Sequence, residues 1–158
     1  MRRDLSKPRV DPRDLRDAVR RLIVAHAALD DARRPCGTPL TAPHAWALLE
    51  LREHGAMTVT SLSERLNIDR TNVSRLCTRM ESLGEIRSHA HPRDGRARLI
   101  KLSTKGTRLA AKVDASSTGH FLEVLDELPS DPADVVCALE ALVDAMSARD
   151  AARGKESA

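Results

Sequence analysis

Aromatic residues are scarce in this chain of 158 residues, which has no tyrosine, one phenylalanine and one tryptophan. Cysteine is scarce too, and the three thiols, Cys36, Cys77 and Cys137, lack the close pairing of a disulfide framework or zinc cluster. No run approaches the roughly 18 apolar residues of a membrane span, and the charged start Met1–Lys7 lacks the apolar core of a secretory signal. These absences predict a protein of a reducing cytoplasm without membrane contact.

Signatures of catalysis and of cofactor binding are also missing from the sequence. There is no Gly-rich phosphate loop, and no Ser/His/Asp set or carboxylate pair stands at a working spacing. His89 and His91 alternate on a predicted strand, where they either touch phosphate or are simply solvated. We therefore expect no enzyme, no cofactor and no bound metal.

Charge is present in both signs but is distributed unevenly along the chain. The formal net charge is only +3. Residues 64–108 carry 11 Lys and Arg against 5 Asp and Glu, whereas residues 109–158 carry 4 against 10. A basic middle and an acidic end predict a nucleic-acid face and a separate assembly region, and hence DNA binding that weakens with salt.

Two helices are predicted at the centre of the basic region. The first covers residues 58–67 and ends at Asn67, a residue that tolerates the positive φ of a tight turn. The second covers residues 69–83, and Asp69 is a favourable N-cap for it. Apolar residues of the second helix recur at helical spacing, at Val73, Leu76, Met80 and Leu83. This spacing predicts a helix-turn-helix, whose second helix enters the DNA major groove.

The polar side of the second helix supplies donors and acceptors suited to bases and phosphates. It carries Arg70, Thr71, Asn72, Ser74, Arg75 and Arg79. We expect Thr71, Asn72 and Arg75 to lie nearest the bases, and Ser74 to contact phosphate. For one helix alone, a solvated arginine face is an equally good interpretation, so the segment that follows decides between the two.

A basic hairpin follows, over residues 86–102. Its two halves alternate in the manner of strands, and Pro92-Arg93-Asp94-Gly95 has the composition of a tight turn. Basic residues surround this turn, namely Arg87, Arg93, Arg96, Arg98 and Lys101. Arginine suits the narrow minor groove, and Asp94 can orient a neighbouring guanidinium. The order helix, turn, helix and basic hairpin predicts a winged helix.

The flanking segments predict a single domain over residues 11–150 between a flexible start (1–10) and a frayed tail (151–158). The fold class is mainly α (α+β): a winged helix-turn-helix lobe (41–102) between N- and C-terminal dimerisation helices (11–34 and 103–150). These helices are too apolar to stand alone, so we expect a homodimer whose recognition helices lie about 34–36 Å apart. A monomer with the terminal helices folded back is the alternative.

Several motifs of the chain resemble the MarR family of bacterial winged-helix regulators, over roughly residues 12–150. They are Leu40-Thr41 with Trp46 to Leu49, Thr58-Val59-x-x-Leu62, Asp94-x-Arg96, and Leu102-Ser103-x-x-Gly106. Ser103 replaces the family's usual Thr and keeps the hydroxyl. The resemblance implies that Arg96 enters the minor groove and that Asp94 orients the wing. It also implies an obligate dimer, a palindromic double-stranded DNA operator, and repression relieved by a small effector.

Candidate sensing residues are fewer. His26, His44 and Trp46 could gather beside the dimer helices, where the resemblance implies a pocket for phenolic or aromatic acids. The plain alternative is that these histidines are ordinary surface or half-buried residues and that Trp46 packs in the core. A zinc site has too few ligands, because His120 stands alone on the helix after the wing.

Redox sensing is the alternative function. Cys36 lies beside Arg33 and Arg34, a setting that can favour a reactive thiolate. The resemblance argues against it, because peroxide-sensing relatives place their cysteine within the first helix and beside tyrosines. Cys77 and Cys137 are expected to be small buried hydrophobic residues.

Overall fold

The structure is a computed structural model, and it describes residues 10–33, 40–91 and 94–156. Cys36, the linker 35–39 and Arg93 of the wing lie outside these residues. Within the described ranges the order of elements is α1 (Pro12–Arg33), α2 (Ala42–His54), β1 (Met57–Thr58), α3 (Val59–Leu66), α4 (Arg70–Ser82), β2 (Ile86–His91), β3 (Asp94–Leu102), α5 (Thr104–Asp126) and α6 (Pro132–Glu156). The chain divides into two compact units after Ser117, inside α5. The predicted winged helix-turn-helix is confirmed.

The ends of α3 and α4 follow from their capping residues. The Thr58 hydroxyl accepts a hydrogen bond from the Ser61 N–H at 3.1 Å, and the Asp69 carboxylate accepts one from the Asn72 N–H at 3.0 Å. Between the two helices Asn67 adopts the left-handed conformation, with φ of 51°. These three local features make the short turn of the helix-turn-helix, as the sequence predicted.

The hydrophobic core lies between α2, α3, α4, the sheet and the start of α5. Its largest fully buried side chains are Leu48, Leu62, Val73, Met80, Ile86 and Val113. Burial of side chains of this size stabilises the fold by about 1.5–3 kcal/mol each. Ser63 is buried on α3 and its hydroxyl donates to the Thr60 carbonyl at 2.7 Å, so this small residue adds no unpaired polar group to the core.

The wing is an antiparallel hairpin of β2 and β3, and β1 pairs with the other edge of β3. Ile86 faces Leu102, Ser88 faces Ile100, and Ala90 faces Arg98. The first of these pairs begins in the core, and the last is exposed, so the hairpin leaves the core as it extends. β3 begins at Asp94, which pairs with His91, so Gly95 lies in the strand and not in the predicted turn.

Three sequence predictions about packing are wrong. Leu83 was grouped with the regularly spaced apolar residues of the second helix, but it is 42% exposed, because the helix ends at Ser82 and Leu83 is its C-cap. Cys77 takes the buried position between Val73 and Met80 instead. Cys137 is exposed on α6, and α6 continues to Glu156, into the tail that was expected to fray from residue 151.

Apolar side chains are exposed on the helices that flank the winged helix. On α1 they are Leu15, Leu22, Ile23 and Val24. In the second unit they are Phe121, Leu122, Val124 and Leu125 of α5, and Val136, Leu139, Val143 and Met146 of α6. Exposure of this many large apolar side chains is typical of an interaction surface.

The start of α5 packs on the segment that joins α4 to β2. This segment, residues 83–85, is called the helix–wing corner below. Its three successive carbonyl groups accept hydrogen bonds from two residues of the α5 start: Leu83 from the Lys105 amine at 2.7 Å, Gly84 from the Ser103 hydroxyl at 2.6 Å, and Glu85 from the Ser103 N–H at 2.8 Å. Gly84 has φ of 71°, a conformation that favours glycine.

Gly106→Ala is expected to lower the free energy of unfolding by about 1–3 kcal/mol. An added Cβ would lie 2.0 Å from the backbone oxygen of Glu85 and 3.2 Å from Leu102. Gly119→Ala is the matched control on the same helix, because nothing lies within 4 Å of its Cβ position. It should raise the free energy of unfolding by about 0.5–1 kcal/mol. Urea unfolding at equal protein concentration measures both changes, and a fully stable Gly106→Ala variant would contradict the close approach.

Candidate nucleic-acid interface

The exposed face of α4 carries all the side chains that the sequence predicted for the major groove. Val73, Cys77 and Met80 form the buried side of this helix. The predicted contact residues are all exposed, namely Arg70, Thr71, Asn72, Ser74, Arg75 and Arg79. The helix therefore buries one face in the core and presents a polar, cationic face that is open to a ligand.

The arginines of α4 differ from several other arginines in having no carboxylate partner among the residues that the structure describes. Arg52 pairs with Asp114 at 2.8 Å, and Arg65 pairs with Glu50 at 2.5 Å. Among the described residues, no ion pair involves the α4 arginines Arg70, Arg75 and Arg79. The positive charge of α4 is thus not neutralised locally, and it is available to phosphates or base edges.

The N-cap of α4 also orients one of the predicted base-contacting residues. The Asp69 carboxylate accepts hydrogen bonds from both the backbone N–H and the side-chain amide of Asn72. The backbone N–H of Asn72 is the main reason why the pKa of Asp69 lies below its usual 3.8. Asp69 is therefore ionised at neutral pH, and it holds the Asn72 amide at the start of the recognition helix.

Sequence reasoning missed Thr78 as a member of the exposed face. Thr78 lies one turn after Ser74 and Arg75, and its hydroxyl donates to the Ser74 carbonyl at 3.0 Å. Helical spacing places Thr71, Arg75 and Thr78 together on the side opposite Val73. That periodicity was available in the sequence and could have identified Thr78.

The wing carries its basic residues on both faces. Arg87 lies opposite Lys101 on one face, and Arg98 lies opposite Ala90 on the other. All three basic side chains are exposed. The backbone places Asp94 and Arg96 on β3 near the tip of the wing, whereas Arg93 lies outside the described residues.

A hydrogen bond joins the recognition helix to the wing. The Glu81 carboxylate of α4 accepts from the Ser88 N–H of β2 at 3.1 Å. Because β2 is an edge strand, this N–H faces away from β3 and needs a partner outside the sheet. Glu81 provides it, and it connects the two elements of the candidate interface.

The predicted sensing residues lie in different environments. His44 is buried, and its Nε2 lies 2.6 Å from a carboxylate oxygen of the buried Glu85. Trp46 is 42% exposed, so the alternative that it packs in the core is wrong. Two residues on a helix point about 200° apart, so His44 and Trp46 do not line one cavity together. His26 is exposed on α1.

The cysteines within the described residues differ in accessibility. Burial, and to a lesser degree the Glu81 carboxylate, raises the pKa of Cys77 to about 11. Cys77 is therefore a thiol at neutral pH and a poor nucleophile. Cys137 is exposed.

Two further features are absent from the part of the chain that the structure describes. No group of three or more His, Cys, Asp or Glu residues there could hold a metal ion. No helix there is sufficiently long and apolar to span a membrane.

Comparison with known proteins shows which proteins the winged-helix region resembles in sequence and in fold. Residues 38–97 match the model of the MarR family. A MarR family protein from Bacillus stearothermophilus has 28% identical residues and a TM-score of 0.67, and the match covers 88% of this chain and 99% of that one. The winged-helix region of the chain is therefore similar to the MarR family.

Two other proteins are similar to this chain, one in sequence and one in fold. An uncharacterised HTH-type transcriptional regulator from Mycobacterium leprae is 27% identical over 99 residues, which is 63% of this chain and 69% of that protein. BpsR from Bordetella bronchiseptica has the same fold, with 24% identity, a TM-score of 0.69 and coverage of 85% of this chain and 98% of that one. The proteins to which this chain is similar are transcriptional regulators, which indicates a DNA-binding regulator and not an enzyme.

Proposed function

We propose that this protein is a homodimeric repressor that binds a palindromic operator through α4 and the wing, and that a small aromatic acid releases it. The observation that supports the DNA contacts best is the exposed face of α4, where Arg70, Arg75 and Arg79 have no carboxylate partner among the described residues. A cationic helix face beside a basic hairpin fits the major groove and the adjacent minor groove.

Roles on the recognition helix follow from position and chemistry. Thr71, Asn72 and Arg75 contact base edges, and Arg75 can bind a guanine through two hydrogen bonds. Ser74 contacts phosphate, and Arg70 and Arg79 add charge at the two ends of α4. The Asn72 side-chain amide donates one hydrogen to Asp69. Its oxygen and its second amide hydrogen remain available, and they can form the two hydrogen bonds that recognise an adenine.

The wing supplies the second contact of each protomer. Arg96 enters the minor groove, Arg93 and Arg98 also contact DNA, and Asp94 orients the tip. The narrow minor groove concentrates negative potential, which favours arginine there. Contacts in two neighbouring grooves fix the register of the protein on the duplex.

The apolar faces of α1, α5 and α6 support a dimer. A second copy of the chain would remove from water the side chains that are exposed on these helices, such as Leu22, Phe121 and Val143. A two-fold dimer presents its two recognition helices about 34–36 Å apart, or one turn of DNA. Its operator would therefore be palindromic.

Arg96→Ala is expected to weaken operator binding by about 1–3 kcal/mol and to reduce the salt dependence of binding by about one phosphate contact. The dimer should be unaffected, because Arg96 lies on β3 of the wing and not on α1, α5 or α6. Fluorescence anisotropy with a labelled operator measures the affinity, and sedimentation measures the dimer.

Arg52→Ala is the matched control for this experiment. It removes the same charge from an exposed residue that is paired with Asp114 on α5, away from the wing. Exposed ion pairs contribute little to stability, so both folding and operator affinity should change little. Equal affinities of Arg96→Ala and wild type would refute the role of the wing.

A small aromatic acid is the proposed effector class. BpsR, which shares the fold, has its DNA binding regulated by 6-hydroxynicotinic acid. In this chain Trp46 offers an exposed aromatic ring, and His26 offers an exposed imidazole. An anionic aromatic ligand can stack on such a ring and accept hydrogen bonds from imidazole.

Addition of 6-hydroxynicotinic acid or a salicylate-like acid is expected to release the operator. It should also change the intrinsic fluorescence of Trp46, the only tryptophan of the chain. Operator retardation and fluorescence titration measure these effects, with benzyl alcohol as an uncharged aromatic control. Unchanged retardation with every acid would contradict the proposed effector class.

Peroxide distinguishes the redox alternative, in which Cys36 is the sensor. We expect peroxide to leave operator binding unchanged in the wild type and in Cys36→Ser. A Cys36→Ser/Cys137→Ser variant is the control. Its one remaining cysteine is Cys77, which stays protonated as a thiol because its pKa is raised. If peroxide releases the operator and Cys36→Ser abolishes that release, redox sensing replaces the small-molecule mechanism.

A further inference from the structure

A buried pair of ionisable side chains lies next to the candidate interface without belonging to it. His44 of α2 and Glu85 of the helix–wing corner are 5% and 4% exposed, and His44 Nε2 lies 2.6 Å from Glu85 Oε2. The two residues are 41 positions apart in sequence. Burial of a carboxylate costs free energy unless a hydrogen-bond donor pairs with it. The presence of this pair at the helix–wing corner therefore points to a structural role.

The backbone of the corner is already hydrogen-bonded to two helices. Gly84 and Glu85 donate back to the α4 carbonyls of Glu81 and Met80, each at 2.9 Å. The carbonyl groups of the corner accept from Ser103 and Lys105, at the start of α5. The Glu85 side chain is therefore the connection from this corner to a third helix, α2.

The position of Glu85 determines where the wing begins. Ile86, the next residue, is the first of β2 and pairs with Leu102 of β3. If Glu85 lost its donor, its carboxylate would gain free energy by moving toward water. Such a movement would displace the base of the hairpin relative to α4, and therefore the wing relative to the recognition helix.

We propose that His44 and Glu85 are positioning residues for DNA binding, and that their hydrogen bond sets the orientation of the wing relative to the recognition helix. Neither side chain touches DNA. This inference rests on the proposed function, because it requires both elements to contact one duplex. Two contacts that must fit neighbouring grooves tolerate little change in their relative geometry.

Two amide substitutions separate the hydrogen bond from the mere presence of a polar side chain. His44→Gln places an amide N–H near the position of the imidazole Nε2–H, so it can still donate to Glu85. His44→Asn has the same chemistry but is one methylene shorter and does not reach. We expect His44→Gln to bind the operator within a few-fold of wild type, and His44→Asn to bind it about tenfold or more weakly.

The experiment compares operator affinity with folding stability. Leu48→Ala is the control for stability, because Leu48 is a fully buried core residue of α2 that takes no part in the hydrogen bond between His44 and Glu85. It should lower the melting temperature while its folded protein keeps wild-type affinity. All variants are titrated at a temperature at which circular dichroism shows them folded.

A coupling measurement tests positioning directly. Arg96→Ala should reduce operator affinity less in the His44→Asn background than in wild type. The reason is that a displaced wing already contributes less to the binding free energy. If His44→Asn does not fold, His44→Leu/Glu85→Leu replaces it. That variant leaves no unpaired buried carboxylate, and it too should bind about tenfold or more weakly.

The outcomes distinguish this inference from the proposed function. Wild-type affinity in His44→Asn, or in the double Leu variant, would overturn the positioning role and leave the DNA contacts intact. The positioning role would also be overturned if the loss of operator affinity were fully explained by a smaller fraction of folded protein, as for any core variant. If the wild-type protein bound no operator, the proposed function would fail, and this inference with it.

Discussion

The relative positions of the recognition helix, the wing and α5 depend on the hydrogen bonds between the start of α5 and the helix–wing corner. The carbonyl groups of Leu83, Gly84 and Glu85 all accept from Ser103 or Lys105. Gly106 lies so close to Glu85 that no side chain fits between them. The end of the recognition helix, the base of the wing and the first turn of α5 are therefore fixed together.

This arrangement also constrains the start of α5. α5 continues from the corner into the second unit, where its apolar side chains are exposed. A displacement of the start of α5 would have to move the corner, because the hydrogen bonds that join them are 2.6–2.8 Å long. The corner therefore joins α5 to both elements of the candidate interface.

Electrostatics distinguishes the DNA-facing surface from the rest of the molecule. Arg52 and Arg65 are paired with carboxylates, whereas the α4 arginines lack such partners among the described residues. Acidic residues near the interface have structural tasks instead. Asp69 caps α4 and Glu81 pairs with the β2 edge, so neither neutralises the arginine face. The small net charge of the chain thus conceals a locally cationic surface.

Local features of the fold could be predicted from the sequence, because they depend on residues close together in the chain. The caps Thr58 and Asp69 and the turn at Asn67 each act over a few residues. β1 was not predicted, since its two residues show no periodicity. The burial of Cys77 and the exposure of Leu83 depend on where α4 ends.

The contacts of the candidate site were harder to predict than its helix faces. His44 was recognised only as a possible effector ligand, because its partner Glu85 is remote in sequence and looks like an ordinary surface residue there. The exposed arginines of α4, in contrast, follow from helical spacing alone.

Hydroxyl-radical footprinting of an operator with the native protein tests the central claim most directly. If two symmetry-related copies each place α4 in a major groove and the wing in the adjacent minor groove, two equivalent protected regions should appear. Their centres should be about 10–10.5 base pairs apart, or a small multiple of this spacing, with protection in the flanking minor grooves. A single protected region without two-fold symmetry would contradict this account.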